Sequence, residues 1–207
     1  MIMTRIIFST FIVLLFQTQL IKAQIRLSVG GGTNFSNISI NSVDFIKPHT
    51  ATNYFLSVRP ELGLTDNFNI GLDIQFSRKG YNFDVNDNQD IAGYRFQYLD
   101  LIPQAQYKII KQLALYGGLG LAIRTSEKYK INDVWKESVN KIFNSSDFAY
   151  ILGLRIFPIN KLSIHIQYAG SLTSIADIEI TNNQGQTIDI AKTVLKNLQL
   201  GIAYQIF

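Results

Sequence analysis

The segment Phe68-Asn69-Ile70-Gly71-Leu72-Asp73-Ile74-Gln75-Phe76-Ser77-Arg78 alternates apolar and polar residues without a slip. Successive side chains of an extended strand point to opposite faces, so this run places Phe68, Ile70, Leu72, Ile74 and Phe76 on one face and Asn69, Gly71, Asp73, Gln75 and Ser77 on the other. Upstream, Tyr54 to Leu64 repeats the pattern, with Tyr54, Leu56, Val58, Leu62 and Leu64 opposed by Ser57, Arg59, Glu61 and Gly63. Thr65-Asp66-Asn67 joins the two runs, a composition that favours a tight turn, and the pair reads as a β-hairpin.

Working outward, the same period recurs in Ile25–Phe35, Arg95–Ile109, Leu113–Arg124, Phe148–Phe157, Leu162–Tyr168 and Leu195–Phe207, which makes eight strands. Pro103 interrupts the fourth run; proline donates no ladder hydrogen bond, so a bulge or local break is expected there. Short connections (Thr65–Asn67, Ile110–Gln112, Pro158–Lys161) alternate with long ones (Ser36–Asn53, Lys79–Tyr94, Thr125–Asp147, Ser171–Val194). Transmembrane β-barrels show this asymmetry, with short periplasmic turns and long extracellular loops, whereas a soluble sandwich has no reason for it. The expected fold is therefore all-β, an eight-stranded antiparallel up-and-down transmembrane barrel with both termini in the periplasm.

The face opposite the apolar stripes carries Gly30, Gly32, Gly118, Gly120, Gly153 and Gly201. Glycine on a water-facing strand covers nothing, but inside a narrow barrel it makes room for large neighbours. The apolar stripes are accordingly expected to face lipid. Arg59, Glu61, Asp73, Asp100, Arg124 and Arg155 then lie in the lumen, where buried charges of both signs must pair. A lipocalin-like soluble carrier, the competing architecture, reverses the two faces.

Composition agrees with an exported membrane protein. Aromatic residues make up 12% of the chain and cysteine is absent, which excludes disulfide staples and thiolate metal sites. The mean hydropathy is slightly positive, +0.11. Arg5, the apolar-leaning stretch Ile6–Phe16 and the small residue Ala23 have the layout of a signal peptide over residues 1–23, cut at Ala23|Gln24. Its apolar run is too short for a spanning helix, which needs roughly 20 residues. Cleavage takes Arg5 and Lys22 from the 19 basic residues and leaves 17 against 15 acidic, with no basic cluster of the kind nucleic acid requires.

Gly30-Gly31-Gly32-Thr33-Asn34-Phe35-Ser36, Arg59-Pro60-Glu61-Leu62, Phe76-Ser77-Arg78-Lys79-Gly80 and Tyr98-Leu99-Asp100-Leu101-Ile102-Pro103 occur in this order. As an ordered set they resemble the PorT-like outer-membrane β-barrel proteins of Bacteroidetes. The sequence departs from that pattern at Phe76, which stands where the family has tyrosine, and by one extra residue between Asp100 and Pro103. The resemblance implies an outer-membrane location in a Gram-negative bacterium and a part in protein secretion. It also implies that the terminal Phe207 is read by the barrel insertion machinery, although Phe207 is out of phase with the Leu198–Ile206 stripe.

No catalytic, cofactor or metal site is expected. His165 is an inward residue with only His49, in a loop, as a second histidine, so it reads as a lumen histidine hydrogen-bonded to its neighbours. Asp73 and Asp100 fall on adjacent strands and suggest acid–base chemistry, but Arg59 and Arg124 at comparable positions favour charge pairing. Gly117-Gly118-Leu119-Gly120 lacks the lysine and hydroxyl of a phosphate loop. Asp84, Asp87 and Asp90 lack the glycine and terminal glutamate of a calcium loop and read as a solvated acidic loop. Thr125–Ser146 is expected to hold a short surface helix. The functional expectation is a structural or binding role through the extracellular loops, with a lumen plugged by charge pairs. A small-solute channel is the alternative. The expected partners are membrane lipid, the insertion machinery and an unidentified protein at the loops, and none is a nucleic acid.

Overall fold

The computed structural model describes residues 24–41, 48–83, 91–132, 134–138, 143–181 and 187–207. The segment read as a signal peptide and the acidic loop of Asp84, Asp87 and Asp90 lie outside them. Ten strands occur in chain order: β1 (Gln24–Ile40), β2 (His49–Gly63), β3 (Phe68–Asn82), β4 (Ile91–Ile110), β5 (Leu113–Ile131), β6 (Val134–Glu137), β7 (Ser146–Ile159), β8 (Leu162–Ser171), β9 (Ala176–Thr181) and β10 (Thr187–Gln205). Eight of them, β1-β2-β3-β4-β5-β7-β8-β10, form an antiparallel ring that closes where β10 pairs with β1, from Ser28↔Gln205 to Ile40↔Thr193. The remaining two are flaps beyond the ring, β6 on β5 and β9 on β10.

The tight turns have local causes. At the β2–β3 corner the Thr65 hydroxyl accepts hydrogen bonds from the backbone N–H groups of Asn67 and Phe68, at 3.3 and 2.9 Å, so the side chain stands in for a missing strand partner. The turns Lys111-Gln112 and Asn160-Lys161 lie at the same end of the ring, together with both strand termini.

The outward stripe is apolar over Phe68–Phe76 of β3, Leu99–Ile109 of β4 and Leu113–Ile123 of β5, close to the roughly 9–11 residues a tilted strand needs to cross a bilayer. Leu72 and Leu200 are 36% and 42% exposed, while Arg59 and Asp73 are each 2% exposed. A water-soluble lipocalin-like barrel has the opposite arrangement.

Above this band the alternation inverts. Ile38, Tyr81, Phe96 and Leu195 turn inward and are buried, while Asn37, Arg78, Arg95 and Lys196 lie on the outer face. The two halves of each strand answer to different surroundings. In lipid the apolar face points out; beyond the bilayer, water claims the polar face and the lumen becomes the apolar interior.

This inversion corrects two expectations. The segments read as long loops are in large part strand, since β1 runs on to Ile40, β2 starts at His49, β3 reaches Asn82 and β10 starts at Thr187. The expected helix within Thr125–Ser146 is absent among the described residues. That stretch continues β5 to Ile131, turns at Asn132 with φ 47° and returns as β6. Pro103 behaves as a local break. The β3 ladder passes through Leu72↔Pro103 in register, and the β4–β5 ladder resumes from Leu101↔Leu121 at Gln104↔Gly118, skipping Ile102 and Pro103 without a shift.

Candidate functional site in the barrel lumen

The lumen side chains form three layers. Nearest the tight turns, Arg59 of β2 and Arg155 of β7 share Glu61. Arg59 Nε lies 3.3 Å and Arg155 Nη1 3.0 Å from the same carboxylate oxygen. Arg59 also reaches Asp73 at 3.8 Å, and Arg155 donates to Gln106. From Asp73 a chain of amides crosses the barrel. Gln75 donates to Asp73 at 3.0 Å, Gln199 to Gln75 at 3.1 Å, and Gln167 to Gln199 at 2.8 Å. Tyr116 donates to Gln167 at 3.2 Å, and the Arg155 guanidinium sits 4.6 Å from the Tyr116 ring centroid. The circuit thus returns to its starting cation. Two acids face two guanidinium groups in this layer, so its formal charge balances.

The middle layer centres on Asp100. Lys79 Nζ lies 2.9 Å from one carboxylate oxygen, and the Ser77 hydroxyl donates to the other at 2.5 Å. The Lys79 ammonium is also 4.9 Å from the Tyr98 ring.

The top layer is a plug. Phe96, Tyr94, Tyr81 and Phe143 pack ring against ring, with centroids 4.9 Å apart for Phe96–Phe143 and 5.1 Å for Tyr94–Phe143. Ile38, Tyr98, Ile175 and Leu195 complete the cluster. Two polar ties fold the mouth segments over it. Arg124 pairs with Glu127 at 2.7 Å and donates to the Phe143 carbonyl, while Asp147 accepts from Ser171 and Thr173 at 2.7 and 3.0 Å. Two lumen cavities, one near Arg59 and one near Gln75, hold about 20 Å³ each, room for about one water molecule.

Of the six charges singled out by sequence, Arg59, Glu61, Asp73 and Arg155 form one cluster. Asp100 and Arg124 belong to the layers above, with Lys79 and Glu127 as their partners. Asp73 and Asp100 are not a carboxylate pair: in the β3–β4 register each faces another residue, Ile102 and Gln75, and each has its own cation. Lys79, assigned from the sequence to a connection, was missed although a signal existed: it extends the inward parity of Asp73, Gln75 and Ser77. Glu127 had no such signal, because a register shift between Gln97 and Tyr98 resets the parity of β5. His165 is buried against the Phe55 ring at 5.7 Å, but neither ring nitrogen has a hydrogen-bond partner, contrary to expectation. Phe55 supplies an apolar wall there. The described residues contain no group of three or more metal-ligating side chains.

Lumen glycines fit these layers in two ways. A Cβ on Gly153 would run into the Tyr116 ring, and one on Gly201 would meet His165 and Phe55 at 2.5–2.6 Å, so both glycines seat a large neighbour. Gly118 instead lies against the Pro103 carbonyl, where the ladder is broken. Gly153→Val is expected to expel the Tyr116 ring from its place under Arg155 and to lower stability by about 1–3 kcal/mol, as overpacking commonly does. Urea unfolding in detergent micelles measures this; an unchanged midpoint would show that Tyr116 moves freely.

A closed ring of eight strands, apolar outside at bilayer depth and charged within, defines an outer-membrane β-barrel. The family described as outer membrane protein beta-barrel domain matches residues 17–177, and the chain belongs to that family. No curated protein matches the sequence. Among solved structures, the chain is similar to Ail, the attachment invasion locus protein of Yersinia pestis, in complex with the heparin analogue sucrose octasulfate. The identity is 14%, the TM-score 0.52, and the match covers 88% of this chain and 99% of Ail. It is also similar to Neisserial surface protein A, at 8% identity and a TM-score of 0.53, over 86% of this chain and 96% of that one. At such identities the likeness concerns the fold.

Proposed function

We propose that this protein is a closed outer-membrane barrel that acts by binding, through the strand extensions and loops on its extracellular side, and that it neither conducts solutes nor catalyses a reaction. The observation that carries this reading is the filled lumen. Charge pairs, amides and an aromatic plug follow one another along the axis, and the cavities seen beside Arg59, at the tight-turn end, and beside Gln75 hold about 20 Å³ each. An eight-stranded barrel is just wide enough for its own side chains.

Planar-bilayer recording tests the closed lumen. The wild-type chain is expected to be electrically silent, as is Phe96→Ala, because Tyr94, Tyr98 and Phe143 remain over the axis. Discrete conductance steps from the wild-type barrel, altered in size by Arg59→Gln, would replace this reading with a small-solute channel. The PorT-like motifs support a narrower role, a part in protein secretion, and co-purification from native outer membranes is the test of a protein partner at the loops. The same proposal includes export by a signal peptide cut at Ala23|Gln24, so that the mature chain starts at Gln24. It also includes recognition of Phe207 by the insertion machinery. Phe207 is 62% exposed beyond the end of β10 and its carbonyl accepts a hydrogen bond from Leu27, which leaves the ring free for a partner.

A further inference from the structure

The outer wall above the apolar band is not uniform. On β3, β4 and β5 the last exposed apolar residues are Phe76, Leu99 and Ile123. Beyond them the outer face carries Arg78 on β3, Arg95 above Gln97 on β4, and Lys128 and Lys130 above Ser126 on β5. Register places Arg78 opposite Gln97, Arg95 opposite Lys128, and Lys130 opposite Gly93, so the four cations share one face of adjoining strands. At about 3.3 Å per residue along a tilted strand, Arg78 lies about 7 Å from the apolar edge, within the polar margin of a bilayer, and Arg95 about 13 Å from it, just above that margin.

The flap strand β6 adds an aromatic to this face. Trp135 pairs with Lys130, and its ring lies 4.9 Å from the Arg95 guanidinium and 5.9 Å from that of Arg78. Arg95 is held in place by donating to the carbonyls of Tyr81 and Tyr94 and to the Asn82 side chain, at 3.1, 2.8 and 2.8 Å. Arg78 Nε has no hydrogen-bond partner. At the rim of the patch Lys128 is paired with Glu137 at 3.4 Å, whereas among the described residues no carboxylate pairs with Arg78 or Arg95.

We propose that this face of β3–β6 binds the anionic phosphate monoester of a lipid headgroup in the outer leaflet, in preference to the phosphodiester of a zwitterionic lipid, with Arg78 and Arg95 as its donors and Trp135 as the platform that keeps the two guanidinium groups together. Guanidinium forks match phosphate geometry, and tryptophan settles at the level of headgroups. The patch continues the lipid-facing stripes of the same three strands and lies on the wall, not in the mouth. A lipid already seated against Phe76 and Leu99 therefore delivers its phosphate to it, while a soluble anion gains nothing from those stripes. The inference depends on the membrane placement of the barrel and is independent of whether the lumen conducts.

Trp135 is the chain's single tryptophan, so its fluorescence reports on this site alone. The full-length folded barrel, reconstituted in phosphatidylcholine vesicles, is titrated with phosphorylated lipid A, and lipid that co-purifies with the protein is counted by native mass spectrometry. The wild type is expected to shift its Trp135 emission and retain the phosphorylated lipid. R78Q/R95Q is expected to bind it roughly thirtyfold more weakly, at about fivefold for each cation removed near an anionic surface. Should that double variant fail to fold, K128Q/K130Q, at the rim of the patch, is expected to show a smaller loss in the same direction. Equal retention by wild type and a folded variant overturns the proposal. So does an emission shift reproduced by inorganic phosphate in pure phosphatidylcholine, which would identify a soluble-anion site instead.

Discussion

Arg155→Ala is expected to destabilise the folded barrel by about 3–5 kcal/mol, the usual cost of removing one partner of a buried ion pair. Arg155 is fully buried, and it is the residue on which the lowest lumen layer converges, through Glu61 at 3.0 Å, Gln106 and the face of Tyr116. Alanine leaves Glu61 with Arg59 as its remaining cation and opens a space beside Tyr116. The penalty is therefore the cost of an under-compensated carboxylate plus that of a cavity. Because the loss comes mainly from the stranded charge, Arg155→Ala combined with Glu61→Gln is expected to recover part of it, although the second change also takes from Arg59 its 3.3 Å contact. Urea unfolding of the barrel in lipid vesicles measures both variants. A loss below about 1 kcal/mol for Arg155→Ala would mean that water neutralises the site, and the packed-lumen account would go with it.

Leu119→Arg addresses the other face. Leu119 is 61% exposed, so in a soluble protein the change would fall within about ±0.5 kcal/mol. Leu119 sits near the middle of the apolar run Leu113–Ile123, and arginine at the bilayer midplane of a barrel costs about 2–4 kcal/mol. Val134, 57% exposed on the β6 flap above the band, is the matched control. Val134→Arg is expected to leave the unfolding midpoint almost unchanged. The two variants differ in depth and hardly in exposure, so equal effects would show that lipid does not surround the band.

The band and the lumen were legible in the sequence to different degrees. Within the bilayer-facing part of each strand the environment is the same on every strand, lipid outside and packed side chains within. Period two therefore assigned Leu72, Leu119 and Leu200 to one face and Arg59, Asp73 and Arg155 to the other. Beyond Phe76, Leu99 and Ile123 the outer solvent changes from lipid to water and the pattern changes sign. A rule tuned to apolar-out strands reads those extensions as loops. For that reason Lys79–Asn82 of β3, Ile91–Tyr94 of β4 and Thr187–Val194 of β10 were assigned to connections, and Lys79 was separated from Asp100. The segment read as a helix in Thr125–Ser146 failed for a related reason. The lysines and glutamates of that stretch serve a hairpin instead, in which Lys128 pairs with Glu137 across β5 and β6.

What the sequence determined by itself is the set of membrane strands, the direction each side chain takes, and the ring they must close, because those follow from local alternation and from backbone groups that have no water to bond in lipid. Tertiary structure alone decided which charge meets which. Glu61 is shared by Arg59, two residues away, and Arg155, brought to it across the lumen, and Phe143 reaches the plug only because the mouth folds over it. Parity tells a residue its face and not its row: rows are set by register, by the Pro103 break and by the bulge that shifts Glu127 against Phe96, all of which depend on neighbouring strands.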